Sequence, residues 1–149
     1  MAIRKPLPEA ALLAQLLALR EAGASEDDPG LPAMLVSRGD DGQWRPTEAV
    51  SLLVDFLKAR DAALQAAFDT ELAADELRRF QKFARPGQPS PHVVQMRQRQ
   101  AAARQASNQA RQAQLKNAAA FAHMAQLTGP ARRGADEVVL DWVHTSGKA

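Results

Sequence analysis

Three arginines recur at a spacing of seven, in Met96-Arg97-Gln98, Ala103-Arg104-Gln105 and Ala110-Arg111-Gln112. Two turns of an α-helix take about 7.2 residues, so on a helix these guanidinium groups form one row about 10.5 Å apart that drifts only slightly around the axis. Arginine grips phosphate with two parallel N–H donors, and the glutamine after each one can hydrogen-bond base edges or sugars. The row lies in a stretch, residues 77–135, that has no Asp or Glu over 59 residues and carries eleven Arg or Lys. A carboxylate there would repel a phosphate, so its absence matters as much as the arginines. Lys116, like Arg99, falls on another face, and Arg132 and Arg133 extend the basic run beyond the helix. The candidate nucleic-acid-binding residues are therefore Arg97, Gln98, Arg104, Gln105, Arg111, Gln112, Lys116, Arg132 and Arg133.

No other stretch signals chemistry. His92, His123 and His144 have no metal-type spacing among themselves or with carboxylates, and no cysteine offers a thiolate ligand, a nucleophile or a disulfide. These histidines are expected to be solvated or packed on helices. Asp27-Asp28 and Asp40-Asp41 lack the alternating ligands and terminal Glu of a calcium loop and read as turn residues. No phosphate-binding glycine loop, nucleophile elbow or dinucleotide fingerprint is present. The expectation is a protein that is not an enzyme and holds no metal or cofactor.

The row needs a long helix to display it. Residues 92–127 contain neither Gly nor Pro, and Ser90-Pro91 is a helix start signal, with serine as cap and proline at the first position. A seam with alternating three- and four-residue steps can be drawn through Met96, Ala103, Ala110, Asn117 and Met124 with Arg99, Ala106, Ala113, Ala120 and Leu127. It is mostly alanine, which allows close approach but buries little area, whereas a self-sufficient two-stranded coil wants Leu, Ile or Val there. The helix is therefore expected to pack on the first half of the chain or on neighbouring subunits, with residues 118–127, apolar all round, as its better-buried end. Thr128-Gly129-Pro130 should stop it.

The preceding residues supply what it packs on. Pro8 and Glu9 suit the start of a helix over 8–22 with a broad leucine stripe, closed by Gly23. Around Gly39-Asp40-Asp41-Gly42 there is a possible β-hairpin within residues 34–45, with Met34-Leu35-Val36 and Gln43-Trp44-Arg45 as strands; a short helix and a loop is the alternative. Thr47 is a plausible cap for a helix whose core face is Leu53, Phe56, Leu57, Leu64, Ala67 and Phe68. That helix either runs through residues 47–85 or breaks at Asp69-Thr70, leaving Leu72, Leu77, Phe80 and Phe83 on a second one. Residues 86–91 form a proline-rich linker, with a Pro-x-x-Pro spacing in which little recognition is expected. After the long helix, Asp136 is expected to cap a short helix over 137–144, a strand being the alternative; Trp142 should anchor it and residues 145–149 should fray.

The fold class expected is mainly all-α: a small helical bundle with one long C-terminal basic helix. It divides into an acidic N-terminal half over 1–85, the linker over 86–91, and a basic part over 92–149. Charge follows that division. Residues 1–91 hold 11 basic and 14 acidic side chains, a balance of −3, and residues 92–149 hold 8 and 3, a balance of +5. Such asymmetry suggests a polyanionic or acidic partner for the second half, or pairing between the halves. Alanine supplies 31 of the residues, so large apolar side chains are few and help from partner subunits is expected. Arg4 and Lys5 before an apolar run imitate a leader peptide, but Gln15, Arg20 and Glu21 interrupt the pattern, and a retained helix is expected. With no membrane span either, a cytoplasmic place or one within a virion or another intracellular assembly is expected. Two functions fit. One is a non-enzymatic accessory subunit whose basic helix contacts DNA or RNA with little sequence specificity. The alternative is a structural or assembly protein whose long helix packs against other proteins, with its arginines on an acidic protein surface. Both imply a homo- or hetero-oligomer.

Overall fold

The computed structural model describes residues 6–83, 91–129 and 132–146. Its elements run α1 (Ala10–Ala22), β1 (Val36–Arg38), β2 (Trp44–Pro46), α2 (Glu48–Phe83), α3 (Pro91–Ala125) and α4 (Ala135–Ser146). The class is mainly all-α, with one two-stranded antiparallel hairpin. The linker lies largely outside the described residues, as does Ser90; Pro91 is the first residue of α3.

Two long antiparallel helices dominate. At about 1.5 Å per residue, the 36 residues of α2 and the 35 of α3 each span slightly over 50 Å. Their register holds along the whole hairpin. Near the base the Asn117 amide donates to the Asp55 carbonyl at 3.3 Å, and near the tip the rings of Phe80 and His92 meet at 4.7 Å between centroids. Twenty-five residues separate the two contacts on either helix, so neither strand of the hairpin slips against the other.

Only the base of this hairpin is buried in a true core. Leu16 and Leu19 of α1, Leu35 just before β1 and Val36 within it, Ala49, Val50, Leu53, Val54, Phe56 and Leu57 of α2, Ala118 and Phe121 of α3, and Val139 and Val143 of α4 form one apolar cluster. It draws on residues from both sides of the linker. Trp142 closes it, its ring 5.2 Å from that of Phe121, which is the anchoring role expected of it. Beyond the cluster α2 and α3 continue as a bare two-helix arm.

The observed boundaries correct several expectations. Helix α1 begins at Ala10 rather than residue 8, because Glu9 turns inward instead of serving the helix terminus. Gly23 ends it as expected, with φ +75° and its N–H donated to Leu19. The β-hairpin exists, but Met34 and Leu35 form a turn and the first strand starts at Val36. Thr47 does not cap α2 with its side chain; its hydroxyl donates to the Met34 carbonyl at 2.7 Å and ties hairpin to helix. Helix α2 passes unbroken through Asp69-Thr70, where Thr70 satisfies its hydroxyl on the Ala66 carbonyl one turn back. On its expected core face Leu53, Phe56 and Leu57 are buried, whereas Ala67 is exposed. Helix α3 ends before Thr128. Gln126 takes φ +55°, and the N–H groups of Gln126 and Leu127 return to His123 and Ala122, a Schellman closure made without glycine. The last segment is the helix, not the strand, and the Gly134 carbonyl rather than an Asp136 cap receives its first N–H bonds. The helix continues through Thr145, whose hydroxyl bonds back to Asp141 and Trp142, to Ser146, and residues 147–149 of the expected frayed end lie outside the described residues.

The seam of α3 is half legible. Met96, Ala103, Ala110 and Asn117 do face α2, but their companions are Val93, Gln100, Ser107, Gln114 and Phe121. Arg99, Ala106, Ala113, Ala120 and Met124 are exposed, while Leu127 packs on the core from beyond the helix end. Polar side chains take the places where alanines are expected because the burial of Phe121 and Ala118 at the base fixes the rotation of α3 about its axis. One straight helix then carries that rotation up the arm. Gln114 is buried, and no buried side-chain N or O among the described residues lacks a partner.

Candidate nucleic-acid interface

Turning about 100° per residue, the buried positions of α3 define one face toward α2, and the residue after each falls on its shoulder. Arg97, Arg104 and Arg111 occupy that shoulder and are all exposed. None makes an ion pair or side-chain hydrogen bond among the described residues. Gln98, Gln105 and Gln112 lie another 100° round, on the side away from α2, and are exposed as well. The row is thus a property of one rigid helix whose other face is held by α2. Asn108, Arg111, Gln112 and Leu115 line a shallow groove between successive turns, so amide and guanidinium donors gather at one place. Lys116 is exposed on the far side with the glutamines.

Of the two loop arginines, Arg132 is exposed and Arg133 is engaged. Arg133 bonds the Asp141 carboxylate and lies 3.8 Å from Glu137, both on α4. Both pairs are solvent-exposed, so Arg133 shares its charge with α4, whose acidic first turns fold back over the loop, while its side chain still faces solvent.

The histidines divide three ways. The His92 ring meets that of Phe80 at a tilt of 60°, His123 is exposed, and the Nε2 of His144 lies 3.0 Å from the Glu9 carboxylate. Among the described residues no group of His, Asp and Glu could hold a metal ion, and no helix is long and apolar enough to cross a membrane.

A second charged cluster is invisible in sequence. Glu9, with a side chain 4% exposed, receives Arg60 Nε at 3.0 Å on one carboxylate oxygen and faces His144 on the other. Burial pushes this carboxyl up, but the hydrogen bonds and charge of Arg60 together with His144 outweigh it and hold the carboxyl below its ordinary value. The cluster joins the start of α1, the middle of α2 and the end of α4, so it is a structural clasp. Asp41 is likewise held low by the hydrogen bonds from Arg45 across the hairpin turn.

Comparison of the chain with family models, with curated proteins and with solved structures found no match.

Proposed function

We propose that this is a non-enzymatic accessory protein that lays α3 on nucleic acid, chiefly through phosphate contacts. One observation carries the reading: three exposed arginines stand in a row on a helix that has no carboxylate of its own and makes no ion pair with them. A guanidinium with an internal partner must share or release it to meet phosphate; among the described residues these three have none to release. Three such arginines give modest affinity that depends strongly on salt.

The test is binding of labelled nucleic acid over a salt series. Measurable affinity at low salt should fall steeply as salt rises. Replacing Arg97, Arg104 and Arg111 together with alanine should weaken binding and flatten the logarithmic salt dependence by about 0.9 for each phosphate that is no longer neutralised. Absence of binding at low salt, or a triple variant that binds as the wild type does, overturns the reading.

A second reading, a structural or assembly protein, is favoured by the arm itself. It reaches beyond the core with Leu72 and Val94 exposed on it, and a partner protein with an acidic surface would cover both. Light scattering that shows one monomeric species at all concentrations would remove self-assembly from this alternative.

A further inference from the structure

Resting on the nucleic-acid reading, we infer that the ligand of α3 is a B-form duplex, with the arginine row on the phosphates of one strand and the glutamine row turned into the major groove. Single strands are held by grooves that track the backbone and by aromatic side chains on which bases stack. Helix α3 offers neither: between His92 and Phe121 it has no aromatic residue, and its exposed face is a convex ridge. A duplex supplies the complementary shape. An α-helix about 10–12 Å across fits a major groove about 12 Å wide, whereas the corresponding groove of A-form RNA is too deep and narrow to admit side chains.

The arrangement of side chains matches that placement. The glutamines point away from α2, so they lead when the helix enters a groove with α2 left outside. The arginines, about 100° round the axis, then lie at the groove's rim, where phosphates are. Asn108 beside Arg111 and Gln112 adds an uncharged donor and acceptor on the leading side. Gln98, Gln105 and Gln112 are neutral, so they contribute hydrogen bonds without releasing counterions, while the arginine row, with Lys116 on the glutamine side, carries the salt dependence.

The test uses the full-length protein and fluorescence anisotropy at low salt with a DNA duplex of about two helical turns, each of its strands alone, and an RNA duplex of the same sequence. The DNA duplex should bind at least about threefold tighter than either strand or the RNA duplex, as its doubled charge density and open groove require. Gln98→Ala/Gln105→Ala/Gln112→Ala should weaken duplex binding severalfold with the salt slope unchanged; the substituted positions are exposed, and circular dichroism checks that the helix persists. If a single strand or the RNA duplex binds as tightly as the DNA duplex, or if the glutamine variant binds the duplex like wild type, this inference falls while the nucleic-acid reading stands. If nothing binds at low salt, both fall.

Discussion

Glu9 and His144 close the chain on itself, carboxylate to imidazole at 3.0 Å across 135 residues of sequence, with Arg60 of α2 held on the other oxygen of the same carboxylate. A buried carboxylate with two donors is costly to disturb from either side. Removing one partner leaves the other charge in a poorly solvated place, which in comparable sites costs about 3–5 kcal/mol. Glu9→Ala should therefore lower unfolding stability by about 2–4 kcal/mol, less than the full range because His144 is half exposed. Urea denaturation followed by circular dichroism measures it; a loss under about 0.5 kcal/mol would show that the clasp is ornamental.

The same carboxylate sets a pH dependence. Its folded pKa lies below the ordinary value of 4.5, so the folded state binds a proton less readily than the unfolded chain. Stability from Glu9 is thus fully present above about pH 4.5 and disappears as pH falls through the lower, folded value. The urea midpoint should drop on acidification in that window. In Glu9→Gln, with no proton to gain, that part of the drop should vanish, and an identical acid profile would show that another carboxylate is responsible.

Phe121 is fully buried at the meeting point of α2, α3 and α4, and its ring faces Trp142. Truncation opens a cavity that the surrounding helices cannot collapse into. Phe121→Ala should cost about 3–5 kcal/mol. Because Trp142 is the ring that packs on it, tryptophan fluorescence should also shift to the red before the main unfolding transition. A variant as stable as wild type would mean that α4 does not dock as described.

Gln126, the residue after α3, lies in the left-handed region, where a side chain clashes with the following carbonyl and glycine does not. The two return hydrogen bonds that close the helix need only backbone atoms, and Gln126 is exposed, so nothing is sacrificed when the side chain is removed. Gln126→Gly should raise stability by about 0.5–1 kcal/mol, read as a higher urea midpoint at unchanged slope.

How far the sequence could be read depended on the range of each interaction. The arginine row, the long α3, the Gly23 ending and the anchoring by Trp142 follow from spacings of a few residues, and local rules reach that far. The Glu9 clasp could not be read, because a glutamate at a helix start looks the same whether it faces the terminus or an arginine 51 residues on. The pairing of Arg133 was hidden for the same reason, its partners becoming neighbours only when α4 folds back. The α3 seam was missed in half its positions since alanine-rich sequence offers several equivalent stripes, and burying Gln114 in place of Ala113 is decided by how α3 sits on α2. Continuity of α2 through Asp69-Thr70 was ambiguous as threonine can cap a helix or bond back within one, and only the tertiary register chooses.

The head and the arm should differ in their local stability. In the head, α2 buries Leu53, Val54, Phe56 and Leu57 completely. Along the arm the facing positions are Ala63, Ala66, Thr70, Ala73 and Leu77 of α2 against Met96, Gln100, Ala103, Ser107 and Ala110 of α3, and of these only Ala63 and Met96 are buried. Two helices with one shared face and small or polar side chains along it remove little apolar area from water, so opening the arm costs far less than opening the head. Native-state hydrogen exchange should show amides of residues 66–80 and 93–107 exchanging orders of magnitude faster than those of 50–57 and 118–121, with a free energy of opening below that of global unfolding. Saturation with a ligand that docks along α3 should slow the arm selectively. Equal protection in arm and head would mean that the hairpin unfolds only with the core, and that docking finds the rod already rigid.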